Sequence, residues 1–239
     1  MCGICACGQP QPAGVAVRVE PESRQVRVAR RLLEHNDAHA AANRARFDAA
    51  GVRVLNLLSS PGSGKTALLE RLARDWTDCG AMAVLVGDLA TDLDAQRLRA
   101  AGLPAVPITT GQACHLEAAM VERGVAELAA DGVALAGLRW LLIENVGNLV
   151  CPAAYDLGEH LRVVLLAAGE GEDKPLKYPA MFRSADVVVI SKIDLAEAVG
   201  FDRAAAHAAL ARVAPRAAVV EVSARSGKGM ARLRELCLG

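Results

Sequence analysis

A phosphate-binding loop is the part of this sequence whose residue types and spacing point most directly to chemistry. Residues 59–66 read Ser-Ser-Pro-Gly-Ser-Gly-Lys-Thr and lie between an aliphatic run and a helical pattern, which is the setting of a P-loop. Ser59 stands where the general pattern has its first glycine. Lys65 is expected to reach the β- and γ-phosphates, and the Thr66 hydroxyl is expected to coordinate Mg²⁺. The residues predicted to surround the nucleotide's phosphates are Gly62, Ser63, Gly64, Lys65, Thr66 and Ala67.

Carboxylates that follow two later aliphatic runs could complete a magnesium site. Glu144 begins the stretch Glu-Asn-Val-Gly, in which its carboxylate would hold Mg²⁺ through water while the Gly147 backbone approaches the γ-phosphate. Asp88 is the first choice for a Mg²⁺ contact or for orienting the attacking water, and Asp92 is the second. Thr91 and Asp92 could equally be helix N-caps. The catalytic residues predicted from the sequence are Lys65, Thr66, Asp88 and Glu144.

A further pair of motifs concerns the base of the nucleotide. Residues 191–194 read Ser-Lys-Ile-Asp and resemble the Asn-Lys-X-Asp guanine motif, with Ser in place of Asn. Asp194 could accept two hydrogen bonds from guanine N1 and N2, and the stem of Lys192 could pack on the base. Ser223 and Ala224 resemble the loop whose backbone N–H contacts guanine O6. The first stretch could instead be a strand-to-helix loop with Asp194 as an N-cap, but together the motifs predict GTP and GDP as ligands.

Three cysteines within the first seven residues indicate a different chemistry. Cys2, Cys5 and Cys7 follow the pattern Cys-X-X-Cys-X-Cys beside the N-terminal amine, which supplies enough donors for a square-planar ion such as Ni²⁺. The spacing is too compact for a two-knuckle zinc finger. The alternative is a disordered terminus with incidental cysteines. We predict a metal-binding tip that captures an ion rather than one that organises folding.

A second set of metal-binding candidates is split along the chain. Cys114 and His115 are adjacent, and Cys151 follows Gly147 by four residues. Adjacent Cys and His cannot enclose an ion alone, so a third ligand must come from the region of Gly147 or from a second subunit. Movement of that region driven by the γ-phosphate would shift Cys151, which would link metal binding to hydrolysis. The alternative is that both cysteines are buried structural residues and His115 lies at the surface.

The order of the remaining segments predicts the scaffold for these sites. Short aliphatic runs alternate with helical patterns, which is typical of an α/β P-loop NTPase with a mostly parallel sheet and helices on both faces. We predict one long N-terminal helix over residues 25–49. The predicted domains are a flexible Cys-rich arm with the metal-binding tip, 1–24, and a GTPase domain that includes the helix, 25–239. The predicted strands are 52–58, 81–86, 105–108, 140–143, 163–166, 187–190 and 217–222.

Composition limits the partners and the compartment. The 27 basic residues balance the 27 acidic ones, which removes the basic field that non-specific nucleic-acid binding requires. No apolar run reaches the ~18 residues of a membrane span, and the N-terminus lacks the residue order of a signal peptide. We therefore expect a cytoplasmic protein with no nucleic-acid or membrane partner. In that compartment its seven cysteines would stay reduced.

These motifs together resemble the HypB-type hydrogenase nickel-incorporation GTPases, which are SIMIBI-class P-loop proteins. The resemblance implies a GTPase that forms a homodimer when GTP is bound and delivers nickel to the [NiFe]-hydrogenase large subunit. It implies a HypA-type nickel/zinc partner and, in some bacteria, the SlyD isomerase. It also implies a high-affinity nickel site at the Cys-rich tip and Zn²⁺ or Ni²⁺ at Cys114, His115 and Cys151, at the dimer interface. The resemblance is carried by residues 59–66, 87–94, 114–116, 144–152 and 170–179.

The role within that family depends on features outside the shared motifs. Only His35 and His39 lie where some members carry a His-rich tract, so we expect nickel transfer rather than storage. Lys174 and Lys177 are candidates for nucleotide contact across the dimer, or else belong to a solvated loop. No arginine finger can be assigned, so we expect slow intrinsic hydrolysis. The alternative function is a P-loop kinase or an ATP-dependent ligase with incidental cysteines, although the sequence has no evident substrate-binding lid.

Overall fold

A parallel sheet of seven strands forms the centre of the molecule in the computed structural model, which describes residues 24–89, 91–111 and 113–238. The strands are β1 Arg53–Ser59, β2 Met82–Asp88, β3 Ala105–Thr109, β4 Trp140–Glu144, β5 Leu161–Ala167, β6 Val187–Ser191 and β7 Ala218–Glu221. Their order across the sheet is β3-β2-β4-β1-β5-β6-β7, and each neighbouring pair is parallel. The predicted α/β fold is confirmed, and each strand begins and ends within two residues of its predicted limits.

Helices connect the strands and cover the sheet. They are α1 Arg24–Ala50, α2 Lys65–Asp75, α3 Leu93–Ala100, α4 Ala118–Ala130, α5 Lys174–Lys177, α6 Pro179–Arg183, α7 Arg203–Val213 and α8 Met230–Leu238. Short 3₁₀ helices occupy Leu135–Gly137, Cys151–Ala154, Ala168–Glu170 and Ile193–Leu195. The helix predicted over residues 25–49 is α1, which extends one residue further at each end, from Arg24 to Ala50. Cys2, Cys5 and Cys7, with all of the predicted arm except Arg24, lie outside the described residues.

The two faces of the sheet carry separate hydrophobic cores because alternate strand residues point to opposite sides. On one face, α2, α3 and α8 pack over strand residues such as Leu55 and Leu142, and the Trp76 and Trp140 rings lie 5.6 Å apart. On the other face, Phe47 of α1 and residues of α4 cover one half of the sheet, while α6 and α7 cover the other. The prediction of helices on both faces is therefore confirmed.

Buried amides fasten α1 to the body of the protein beside the start of α4. Asn36 accepts a hydrogen bond from Ala118 N at 2.9 Å and donates to Asp156 O at 2.8 Å. Asn43 donates to Ala118 O at 2.8 Å. Gly158 has a φ of 89°, and a Cβ there would lie 2.7 Å from a carbonyl oxygen of α1. The helix therefore packs against backbone that only glycine can supply.

The carboxyl ends of the strands bring the predicted chemical residues to one edge of the sheet, as expected for a parallel α/β fold. β1 leads into the P-loop, β2 ends at Asp88, β4 ends at Glu144 and β6 ends at Ser191. None of the helices in the described part of the chain is long and apolar enough to cross a membrane.

Candidate functional site

The P-loop joins β1 to α2 and has the backbone geometry of a phosphate cradle. Gly62 and Gly64 have φ values of 73° and 95°, a region that favours glycine. Lys65 is buried, and its Nζ donates to Ser59 Oγ at 3.2 Å. Ser59 Oγ in turn donates to Ser60 O at 2.7 Å. The residue that departs from the general P-loop pattern therefore holds the lysine against the loop.

A cavity of about 510 Å³ opens above this loop. Its walls include Lys65, Thr66, Asp88, Glu144 and Gly147. Ala67 also lines the cavity, together with Gly62 and Gly64, whereas Ser63 is fully buried and does not line it. The structure thus brings the predicted catalytic residues and nearly all of the predicted phosphate-binding residues to one opening, whereas Asp92 hydrogen-bonds Gln96 on α3.

Thr66 and Glu144 form a compact pair of oxygen donors in this cavity. Thr66 Oγ1 donates to Glu144 Oε1 at 2.8 Å. Glu144 Oε2 is buried and has no hydrogen-bond partner among the described residues. Burial raises the pKa of Glu144 to about 7 and lowers the pKa of Lys65. Hard oxygen donors with one unpartnered buried carboxylate oxygen fit Mg²⁺, which would ionise Glu144 by its charge.

Asp88 and its neighbours form a further part of the cavity wall. Asp88 Oδ1 accepts from Thr91 N at 3.2 Å, so the carboxylate shapes the turn after β2. Asp94 and Arg97 of α3 also line the cavity and form an ion pair at 3.1 Å. Arg97 gives this wall a cation that the sequence did not identify, because its position depends on how α3 packs beside the P-loop.

A smaller cavity of about 250 Å³ adjoins the P-loop where the guanine motifs meet. Ser191 Oγ donates to Ser63 O at 2.8 Å. Lys192 adopts a left-handed φ of 56° and donates from Nζ to Gly62 O at 2.6 Å. Asp194 is exposed and lies within a 3₁₀ turn rather than at its N-cap, which argues against a purely structural capping role.

The two residues of the second predicted guanine motif, Ser223 and Ala224, differ in position. Ala224 lines the smaller cavity. Ser223 is fully buried, and its Oγ accepts from Ser226 N at 3.1 Å. Ser223 therefore shapes the loop, while Ala224 lies at the cavity that would hold a base.

Two adjacent residues and a third from a later segment form a potential metal site, here called the metal trio: Cys114, His115 and Cys151. Their donor atoms all lie within 4.8 Å of one another in a single chain. His115 Nε2 is buried and has no hydrogen-bond partner among the described residues, and burial lowers the pKa of His115, which favours the neutral imidazole that binds metals. A hydrogen bond with Cys114 raises the pKa of Cys151. Two sulfurs and one imidazole suit a borderline-soft ion such as Ni²⁺ or Zn²⁺.

Comparison with known proteins shows to which family the chain belongs. Residues 53–221 match the family described as CobW/HypB/UreG, nucleotide-binding domain. Hydrogenase maturation factor HypB of Azotobacter vinelandii is 53% identical over 209 residues, which are 87% of this chain and 67% of that protein. The chain belongs to the HypB family.

Solved structures of HypB proteins agree with the fold of this HypB-family chain. HypB from Helicobacter pylori in complex with nickel aligns with a TM-score of 0.81 and 45% identity, covering 85% of this chain and 94% of that one. HypB from Archaeoglobus fulgidus aligns with a TM-score of 0.76 and 37% identity, covering 85% of this chain and 99% of that one. The sequence-based resemblance is confirmed.

Several contacts in this HypB-family structure were not predicted from the sequence. Glu170 accepts hydrogen bonds from the Ser60 and Ser63 hydroxyls, so its carboxylate braces the P-loop. Tyr155 packs on His115 with ring centroids 3.8 Å apart. Both residues act through contacts that join distant segments, and although Glu170 begins the stretch 170–179, that stretch does not show that its carboxylate contacts the P-loop.

Lys174 and Lys177, the candidates for nucleotide contact across a dimer, make contacts within the chain. Lys174 Nζ lies 4.0 Å from Glu170 and 5.4 Å from the Tyr178 ring centroid. Lys177 is exposed and forms an ion pair with Asp173. Lys174 is therefore connected to the P-loop through Glu170, whereas Lys177 is exposed at the end of α5, which forms where a loop was predicted.

Proposed function

We propose that this HypB-family protein is a GTP-hydrolysing nickel metallochaperone that inserts nickel into the large subunit of a [NiFe]-hydrogenase during maturation. The observation that carries the proposal is the position of the metal trio. Cys151 ends the segment 144–151, here called the switch segment, whose first residue is hydrogen-bonded to Thr66 in the P-loop. Family membership supports the same role, since relatives are hydrogenase maturation factors and one is solved with nickel. The kinase or ligase alternative is not favoured.

The nucleotide half of the function uses residues that line the two cavities. Lys65 would leave Ser59 and contact the β- and γ-phosphates, while Asp194 would accept hydrogen bonds from guanine. Thr66 and Glu144 would hold Mg²⁺, which when bound neutralises charge on the phosphates. Asp88 would contact that ion or orient the attacking water. The Gly147 backbone lies against Pro61, where its N–H could approach a γ-phosphate.

The metal half of the function treats nickel as cargo. The metal trio would bind Ni²⁺ or Zn²⁺ through two thiolates and a neutral imidazole. Cys2, Cys5 and Cys7 would form a separate, tighter nickel site on an arm spanning residues 1–24, attached to the GTPase domain of residues 25–239. Because the segment between them has only two histidines, transfer rather than storage is the proposed role.

Delivery requires other proteins. We propose a homodimer in the GTP-bound state, a HypA-type nickel/zinc partner, the hydrogenase large subunit and a SlyD-type isomerase as partners. Dimerisation or a partner would raise the slow hydrolysis expected of the single chain. A fast turnover by the monomer would contradict this part of the proposal.

Nickel titration by calorimetry tests the metal half. The variants are Cys114→Ala, the triple change Cys2→Ala/Cys5→Ala/Cys7→Ala, and Cys79→Ala as a control for loss of a thiol outside both sites. Each is titrated with GDP and with a non-hydrolysable GTP analogue. We expect the triple variant to lose the tight site and Cys114→Ala to lose a second, nucleotide-sensitive site. Unchanged binding in both would refute the metallochaperone assignment.

Phosphate release from GTP and from ATP tests the nucleotide half. We expect GTP to be hydrolysed in preference to ATP because the carboxylate of Asp194 can pair with guanine N1 and N2, which adenine cannot match. Transfer of phosphate to a small-molecule acceptor, or preference for ATP, would instead support a kinase or ligase.

A further inference from the structure

The loop of residues 114–116, here called the metal-binding loop, is hydrogen-bonded to the switch segment at both of its ends. Asn145 Oδ1 accepts from Leu116 N at 3.2 Å, directly after His115. Asn148 Nδ2 donates to Cys114 O at 3.3 Å. The residues that carry Cys114 and His115 are therefore held between two asparagines of the switch segment.

Each of these asparagines follows a residue that touches the P-loop. Glu144 accepts a hydrogen bond from Thr66, and Asn145 is the next residue. Gly147 packs so closely on the P-loop that a Cβ there would lie 2.8 Å from Pro61 Cα, and Asn148 is the next residue. Displacement of the switch backbone at the nucleotide would therefore act on both hydrogen bonds to the metal-binding loop.

The two side chains are anchored differently. Asn145 is buried, also accepts from Val146 N at 2.9 Å, and donates to Asn56 Oδ1 at 3.3 Å. Asn148 is half-buried and accepts from Val150 N at 2.7 Å through Oδ1. Asn145 thus belongs to a fixed network, whereas Asn148 connects Cys114 to the turn that positions Cys151.

We propose that Asn145 and Asn148 are positioning residues that couple nucleotide state to the geometry of the metal trio, with Asn148 as the adjustable link. The proposal deepens the proposed function, on which it rests. Asn148 joins the loop of Cys114 to the turn before Cys151, so a change in the switch segment alters the separation of the two sulfurs. Coupling between two ligands is reciprocal and typically changes affinity about 5- to 150-fold.

The substitution Asn148→Asp removes one hydrogen bond and adds a negative charge, and its control must add the same charge. A carboxylate keeps the acceptor for Val150 N and removes the donor to Cys114 O. The matched control is Asn36→Asp, because Asn36 also accepts from a backbone N–H and donates to a carbonyl, but links α1 to Asp156 and Ala118 outside the switch segment. Asn145→Ala tests the buried contact, and thermal unfolding verifies that each variant is folded.

The experiment measures a coupling factor, the ratio of nickel dissociation constants with GDP and with a non-hydrolysable GTP analogue. All variants are full-length and carry Cys2→Ala, Cys5→Ala and Cys7→Ala, so that the measured nickel binding is that of the metal trio alone. The reciprocal factor, the change in GDP affinity caused by nickel, is measured on the same samples. We expect at least about a fivefold factor in the parent and in Asn36→Asp, and a factor within twofold of one in Asn148→Asp.

The possible outcomes separate this inference from the proposed function. If Asn148→Asp keeps the parent's coupling factor in both directions, the inference is wrong while the metallochaperone assignment stands. A parent that binds nickel and nucleotide without coupling overturns the inference and the expected nucleotide sensitivity of the metal trio, while nickel binding by the metal trio stands. A parent that binds no nickel at the metal trio overturns the proposed function and the inference with it. If Asn145→Ala does not fold, the result for Asn148→Asp decides.

Discussion

The nucleotide site and the metal trio differ in the scaffold that holds them. The P-loop, Asp88 and Glu144 lie at or next to the ends of buried parallel strands, and Lys65, Thr66 and Glu144 are themselves buried. The metal trio lies on loops and a 3₁₀ turn, and its members are half-buried. The nucleotide site is thus built into the sheet, whereas the metal trio lies outside the strands and α-helices.

The largest effect on one site that leaves the other unchanged is expected from Lys65→Ala. Because this ammonium is the cation of the P-loop, its loss should lower GTP hydrolysis about 100- to 1,000-fold. Nickel affinity of the nucleotide-free protein should not change, since the hydrogen bond that Lys65 donates is to Ser59 within the P-loop. Single-turnover hydrolysis and nickel titration check both halves. Lys228→Ala, an exposed lysine, is the control, and loss of nickel binding by Lys65→Ala would show that the sites are not separable.

Cys151→Ala should have the opposite effect: it should weaken nickel binding and leave nucleotide binding unchanged. Outer-shell partners of metal ligands are worth about 10- to 100-fold in affinity, so removal of a ligand itself should weaken nickel binding at the metal trio about 100-fold. GDP affinity without nickel should stay the same, because Cys151 lies beyond the part of the switch segment that lines the nucleotide cavity. Competition with a metal chelator measures the first quantity, and calorimetry the second. Cys79→Ala should change neither, and a nickel affinity unaffected by Cys151→Ala would exclude it as a ligand.

This contrast also explains how much could be predicted from the sequence. The P-loop and the strand after which Glu144 stands are contiguous patterns, so their residues meet once the sheet forms. The adjacency of Cys114 and His115 was visible, but whether Cys151 joins them within one chain depends on the path of the loop after Gly147. Glu170 and Tyr155 were missed because each acts across more than thirty residues of chain.

The contacts of Asn145 and Asn148 were likewise not predictable from the sequence. Asn145 and Asn148 stood inside a recognisable stretch, but their side-chain partners lie in the loop of residues 114–116, which no local rule places beside them. Hydrogen bonds between loops depend on tertiary packing, whereas strand and helix periodicity is local. The elements were therefore predictable, and the contacts that join them were not.

A smaller effect is expected from Asp194→Asn, which should change the selectivity for guanine. Asp194→Asn removes the carboxylate that would accept from guanine N1 and N2, and should weaken GTP binding about tenfold. The amide can instead donate to the O2 of xanthine, so XTP should become the preferred nucleotide. Fluorescence competition between GTP and XTP measures the change, with nickel affinity as the internal control. A variant that still prefers GTP would indicate that the base is read elsewhere, such as at Ala224.

The smallest expected effect concerns a thiol that belongs to neither site. Cys237 is a residue of α8 that is buried in the core, and burial raises its pKa to about 12, whereas an ordinary thiol ionises near 9.0. Above pH 9 the unfolded chain releases this proton and the folded chain does not, so stability is lost as the pH rises toward 12. Between pH 7 and pH 10 the loss should be about 1.4 kcal/mol.

Urea unfolding of the wild type and of Cys237→Ala in reducing buffer isolates that contribution. The substitution lowers the free energy of unfolding at neutral pH by leaving a cavity, and this cost does not depend on pH. The difference between the two proteins should therefore narrow by about 1.4 kcal/mol at pH 10. A constant difference would mean that Cys237 ionises in the folded protein, so that its site is more open to water than the core around it. The half-buried thiols of the metal trio would then no longer be distinguished from Cys237 by their access to solvent.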